Sequence, residues 1–312
     1  MEIITSFLLL ILGFVMLVKG ADWFVDGAAG IAARFGIPQL VIGLTIVAMG
    51  TSAPEAAVSI TAALKGNAGI TIGNVIGSNI MNVLVILGLT AVVSPIAVKL
   101  STVRYEIPFM IGVSVLILAL GISGNQVVFY EGIILWIAFI MYFIYLFRMT
   151  RKGTEEEELL RTVSLPRQIL GLLIGMGMIV WGSDISVDSA SEIARIFGMS
   201  ERFIGLTIVA LGTSLPELVT SVMAARKGNA DIAIGNIVGS NIFNILFVIG
   251  CTVLITPVSF AANFRIDTVV AIATAVLLWI CVVKNHRLDR GEGAVLLTGY
   301  AVYFVYLCSN MA

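Results

Sequence analysis

The sequence repeats itself once. Shifted by 162 residues, without a gap, IGLTIVAMGTSAPE (42–55) becomes IGLTIVALGTSLPE (204–217), and KGNAGITIGNVIGSNIMN (65–82) becomes KGNADIAIGNIVGSNIFN (227–244). About two-thirds of the 42 positions in 41–82 recur in 203–244, and Asp22 and Asp26 align with Asp184 and Asp188. Outside these stretches the halves match only in hydropathy. A fold for this chain must therefore relate two similar halves by some symmetry.

The medium limits which symmetry. Of the 312 residues, 59% are hydrophobic and 12% charged, and the mean hydropathy is +1.06. Long apolar runs between short charged clusters describe a polytopic membrane protein. At about 20 apolar residues per crossing, ten spans are expected, near 4–24, 38–64, 70–93, 104–121, 127–147, 167–184, 202–225, 231–255, 266–283 and 293–309. The first run is read as a permanent helix, because Glu2 stands where a signal peptide would carry positive charge.

Each half then has five spans. Five is odd, so the second half enters the membrane from the opposite side. The expected fold is an all-α integral membrane protein of ten transmembrane helices, arranged as two inverted five-helix repeats, the plan of many secondary transporters. The first repeat covers 1–147 with its motif at 43–82, a linker covers 148–166, and the second repeat covers 167–312 with its motif at 205–244. Alternate loops hold 14 and 4 of the Lys and Arg residues. The positive-inside rule makes the first set cytoplasmic and both termini extracellular. The run Glu155–Glu158 is read as part of a solvated linker. Cys251, Cys281 and Cys308 are read as buried packing residues and His286 as a loop residue.

From Pro38 to Leu64 the only charge is Glu55, just after Pro54. As local structure, Ser52-Ala53-Pro54-Glu55 fits a capping box, with Ser52 as N-cap and Glu55 reaching back to it; proline is tolerated in a first turn. Ser214 and Glu217 repeat the pattern. Yet Glu55 lies roughly 25 Å of helix from Pro38 and roughly 15 Å from Lys65, well inside the hydrocarbon. The break also frees backbone carbonyls, which at that depth must be buried in protein or face a cavity. A bound cation would meet both needs, taking the freed oxygens of Ala48, Thr51, Ala210 and Thr213. Ser78 and Asn82, with Ser240 and Asn244, add hydroxyls and amides at i, i+4 spacing on one helix face. Asn74 and Asn236 could ligate too, or hydrogen-bond a neighbouring helix. The resulting set is all oxygen, suited to Ca²⁺ or Na⁺ rather than zinc or copper. Two carboxylates balance one Ca²⁺, or several Na⁺ could share the cluster. Ions competing for the same charge, in a fold with two faces, suggest an antiporter.

These motifs resemble the two repeats of the Ca²⁺/cation antiporter superfamily, and in particular prokaryotic sodium/calcium exchangers. The resemblance covers the whole chain. It implies a core of spans 2, 3, 7 and 8, past which long spans 1 and 6 slide. It implies a calcium site of Glu55 and Glu217 with the carbonyls of Thr51 and Thr213. It implies sodium subsites at Ala48, Ser52, Glu55 and Ser78, and at Ala210, Ser214, Glu217 and Ser240, with Asn82 and Asn244 bordering the centre. Ca²⁺ and Na⁺ are then transported ions, Ca²⁺ moves outward, and no cofactor, nucleic acid or obligatory protein partner is expected beyond the lipid bilayer. The chain departs from several relatives in carrying Asn244 where they have Asp, which argues against a K⁺ requirement. A proton/calcium antiporter is the nearest alternative and a cation channel a more distant one. No nucleophile–base pair points to an enzyme.

Overall fold

The computed structural model describes residues 2–65, 69–150, 164–198 and 210–310. Its helices are α1 (Glu2–Phe35), α2 (Gln39–Thr51), α3 (Ala53–Leu64), α4 (69–93), α5 (Thr102–Gly124), α6 (Phe129–Thr150), α7 (Leu165–Ile196), α8 (Ala210–Thr213), α9 (Leu215–Arg226), α10 (Ala230–Ile255), α11 (Ala262–Val283) and α12 (Arg290–Asn310). Among the described residues eight helices are long and apolar enough to cross a membrane, and α2 with α3, bent by 50° at Ser52, makes a ninth. The expected span 202–225 lies partly outside the described residues; α8 and α9 are its described part. Most of the expected linker, including Glu155–Glu158, also lies outside them.

Two expected spans were drawn too short. α1 has 34 residues and α7 has 32, each about 50 Å long, where 4–24 and 167–184 were expected. Asp22, Asp26, Asp184 and Asp188 interrupt the hydropathy but not the helix, because a carboxylate breaks no backbone hydrogen bond.

α1 and α7 pack along each other through glycine. A methyl built on Gly20 would sit 2.8 Å from the Gly175 carbonyl oxygen, and one on Gly175 would sit 2.6 Å from that of Gly20. Gly13 meets Gly182 in the same way. The partner number falls as the α1 number rises, so the helices are antiparallel. Gly13 and Gly175 are repeat mates, as are Gly20 and Gly182, so the two contacts exchange under the 162-residue shift. Close backbone approach at small residues is how helices associate where water supplies no driving force.

Two short antiparallel ribbons join the halves. Strand β1 (Ile96–Ala97) pairs with β4 (Arg287–Leu288), and β2 (Gln126–Val127) pairs with β3 (Val258–Ser259). α5 runs from β1 to β2 and α11 from β3 to β4. The ribbons therefore lie at opposite ends of these helices, and α5 and α11 run in opposite directions. The repeat shift carries one ribbon onto the other to within one residue.

The centre is formed by α4 and α10; every residue from Ile232 to Phe243 is buried. The outer helices expose apolar side chains, such as Leu8 on α1, Ile140 on α6, Leu170 on α7 and Val302 on α12, as lipid-facing surfaces do. The cysteines are not buried: Cys251 and Cys281 are half-buried and Cys308 is exposed. In an apolar surface a thiol needs no burial. His286 lies in an exposed turn with φ of 49°.

Candidate ion site

The helix break between α2 and α3 has a counterpart between α8 and α9. Ser52 sits at φ −84°, ψ 7° and Ser214 at φ −95°, ψ 3°, each followed by a helix with proline in its first turn. The expected capping boxes do not form. Neither serine caps its helix with its side chain. Ser52 Oγ instead donates to Glu217 Oε1 at 2.8 Å, across the two halves. A hydrogen bond to a carboxylate is stronger than one to a neutral acceptor, and the tertiary fold brings that carboxylate within reach.

Asn74 and Asn236 brace the breaks. Asn74 Nδ2 donates to Ser59 Oγ at 2.9 Å and to the Glu55 carbonyl at 3.2 Å; Asn236 Nδ2 donates to Ser221 Oγ at 2.9 Å and to the Glu217 carbonyl at 3.4 Å. These are helix-to-helix bonds, so of the two readings open for Asn74 and Asn236 the structure displays the second. Thr51 Oγ1 donates to Asn236 Oδ1 at 3.0 Å. Ser240 Oγ lies 3.3 Å from the Ala48 carbonyl. That carbonyl also accepts from the Ser52 amide at 3.0 Å, so it is engaged rather than free. Ser78 is buried one turn before Asn82 on α4. Thr213 is half-buried at the end of α8, and Ala210 is the first described residue of that helix.

Four asparagines link α4 to α10. Asn79 Nδ2 donates to the Asn241 carbonyl at 3.1 Å, and Asn241 Nδ2 to the Asn79 carbonyl at 3.2 Å. Asn82 Nδ2 donates to Asn241 Oδ1 at 3.0 Å and Asn244 Nδ2 to Asn79 Oδ1 at 3.3 Å. Asn82 and Asn244 each open a π-helical turn, a distortion that often accompanies function.

What this network leaves over is informative. Glu55 Oε2, Glu217 Oε2, Asn82 Oδ1, Asn244 Oδ1 and Ser214 Oγ are buried and have no hydrogen-bond partner among the described residues. Four of the five can only accept when the carboxylates are ionised. Glu55 and Glu217 are 1% and 0% exposed. Among the described residues neither has a basic partner, and the two repel each other electrostatically. A buried acceptor without a donor costs about 1–3 kcal/mol, and a buried unpaired charge more. A cation removes both penalties at once.

Of the residues expected from sequence, the fold brings together Ser52 with Glu217 and Ala48 with Ser240, and it sets Asn82 against Asn241 and Asn244 against Asn79. Each contact joins one repeat to the other. Sequence reasoning gave no role to Asn79, Asn241, Ser59 or Ser221. Their signal was available, since each pair occupies equivalent positions of the repeat.

The sodium/calcium exchanger protein family model matches residues 5–148 and 167–309. The sodium/calcium exchanger MaX1 of Methanosarcina acetivorans is 34% identical over 347 residues, covering 98% of this chain and 99% of that protein. The inner membrane protein YrbG of Escherichia coli is 37% identical over 314 residues, covering 96% and 95%. Among solved structures, the sodium–calcium exchanger NCX_Mj soaked with 2.5 mM Na⁺ and 10 mM Sr²⁺ superposes with a TM-score of 0.85 at 31% identity, covering 97% of this chain and 99% of that one.

Proposed function

The chain belongs to the sodium/calcium exchanger protein family, and from that membership we propose that it exchanges Na⁺ for Ca²⁺ by alternating access, moving Ca²⁺ out of the cell. The observation that carries the reading is the set of five orphaned buried oxygens, two of them from the Glu55 and Glu217 carboxylates, with the amide donors turned to other partners. A site with acceptors left over fits cations.

In this reading Ca²⁺ is held by the Glu55 and Glu217 carboxylates with the carbonyls of Thr51 and Thr213. Na⁺ ions occupy subsites at Ala48, Ser52, Glu55, Ser78 and Asn82, and at Ala210, Ser214, Glu217, Ser240 and Asn244. Opening the Ala48 carbonyl to an ion requires Ser240 Oγ to turn away from it. The chain crosses the membrane ten times as two inverted repeats, 1–147 and 167–312, joined by a cytoplasmic linker, 148–166, with both termini outside. The opposed directions of α5 and α11 and of α1 and α7 support this arrangement.

K⁺ is not an obligatory passenger. Asn244 offers an oxygen but no charge, so K⁺ beside Ca²⁺ would set three positive charges against Glu55 and Glu217 alone. An uncompensated charge at membrane depth is costly.

The test is flux in proteoliposomes with Na⁺, K⁺, H⁺ and Ca²⁺ gradients set independently at clamped voltage. A Na⁺ gradient at fixed pH is expected to drive Ca²⁺ uptake equally well with K⁺ or an inert cation on both sides. Uptake driven only by a pH gradient would make it a proton/calcium antiporter. Ca²⁺ flux needing no counter-ion would make it a channel.

A further inference from the structure

The asparagine network has a direction. A backbone carbonyl can only accept a hydrogen bond. The Asn241 carbonyl faces the Asn79 side chain and the Asn79 carbonyl faces the Asn241 side chain, at 3.1 and 3.2 Å. Each of these side chains must therefore present its NH₂ to the backbone, which leaves its Oδ1 on the other side. That Oδ1 in turn accepts an NH₂, from Asn244 onto Asn79 and from Asn82 onto Asn241. With their NH₂ groups so held, Asn82 and Asn244 have Oδ1 as the remaining polar atom, and both are buried without a partner.

We infer that Asn79 and Asn241 are positioning residues, each fixing the amide of the opposite repeat so that Asn244 and Asn82 offer oxygen, not NH₂, to the ions. The chain of constraint starts at main-chain carbonyls, which cannot rotate independently of their helices. It also crosses: residue 79 of the first repeat governs 244 of the second, and 241 governs 82. A freed amide can flip and aim its two N–H donors at a cation, which opposes binding. This inference rests on the reading of Asn82 and Asn244 as ion ligands.

The crossing makes the test specific. Half-saturating Ca²⁺ for exchange is measured in proteoliposomes for Asn79→Ala, Asn82→Ala, Asn244→Ala and the pairs 79/244 and 79/82. Asn79→Ala is expected to raise it about tenfold, the equivalent of one lost buried hydrogen bond. In the Asn244→Ala background the same change should add little, since no amide remains to hold. In the Asn82→Ala background it should act in full. The mirror pattern is expected for Asn241→Ala with Asn82→Ala. A role in packing alone would give the same increment in both backgrounds and would overturn the proposal. If Asn82→Ala and Asn244→Ala themselves leave half-saturation unchanged, the ligand reading fails and the positioning role with it. If they raise it while Asn79→Ala and Asn241→Ala do not, only the positioning role fails. Should an alanine variant fold poorly, Asn79→Ser, with Ca²⁺-induced thermal stabilisation of the purified protein as the readout, must show the same dependence on Asn244.

Discussion

At the scale of single residues the proposed site turns on two carboxylates. Glu55 and Glu217 are fully buried, and each keeps one oxygen without a donor. Glutamine at either position removes half of the charge facing Ca²⁺. Leaving a buried charge half-compensated costs about 3 kcal/mol or more, so Glu55→Gln and Glu217→Gln are each expected to lower Ca²⁺ affinity by at least about 100-fold. Exchange flux should fall to background while the purified variants stay folded, because glutamine matches glutamate in size and, at 217, keeps an oxygen that Ser52 can bond. Flux measured beside a thermal melt of the same preparation separates the two effects. Near-normal flux in either variant would remove that carboxylate from the site.

At the scale of elements the α1–α7 contact is the clearest constraint. A side chain at Gly20 meets the backbone of α7, which cannot rotate out of the way. Gly177, on α7, has open space where its side chain would be. Overpacking typically costs about 1–3 kcal/mol, and here the clash is with main chain. Gly20→Val is therefore expected to lower the thermal unfolding temperature in detergent by several degrees, and Gly177→Val to leave it nearly unchanged. Equal melting of the two variants would mean that α1 and α7 do not meet along this line.

At the scale of the whole molecule the halves are similar but differ in one cluster of ion pairs. Lys227, at the end of α9, sits 2.6 Å from both Asp22 Oδ1 and Asp26 Oδ1 on α1. Its repeat mate Lys65 is exposed and makes no ion pair among the described residues, although Asp184 and Asp188 hold the equivalent places on α7. α1 is thus tied to α9 by ion pairs, whereas the equivalent pairing of Lys65 with Asp184 and Asp188 on α7 is not made. A cleavable thiol cross-linker joining Asp22→Cys to Lys227→Cys, with Cys251, Cys281 and Cys308 replaced, is expected to stop exchange, and cleavage to restore it. Undiminished exchange in the cross-linked protein would show that this end never parts during turnover. In the same background a cysteine at Lys284 should be labelled from the cytoplasm and one at Ser123 from outside. The reverse would overturn the orientation drawn from the 14-to-4 charge count.

Sequence alone determined the medium, the helical class and the pairing of the two motifs. Each of these depends on local composition or on a fixed offset, and needs no knowledge of which helices touch. It also placed the breaks at Ser52 and Ser214, because a proline in the first turn acts within that turn. It misjudged where α1 and α7 end, since hydropathy reports lipid contact and not backbone hydrogen bonding. What only the tertiary structure decided is the partner of each polar group. Ser52 could cap its own helix or bond a carboxylate 165 residues away, and the fold selected the carboxylate. Asn82 and Asn244 could offer oxygen or NH₂, and the choice was made by Asn241 and Asn79 on the facing repeat. A polar side chain buried at membrane depth bonds whatever the fold brings near it, and nearness across the repeats is not written in either repeat alone.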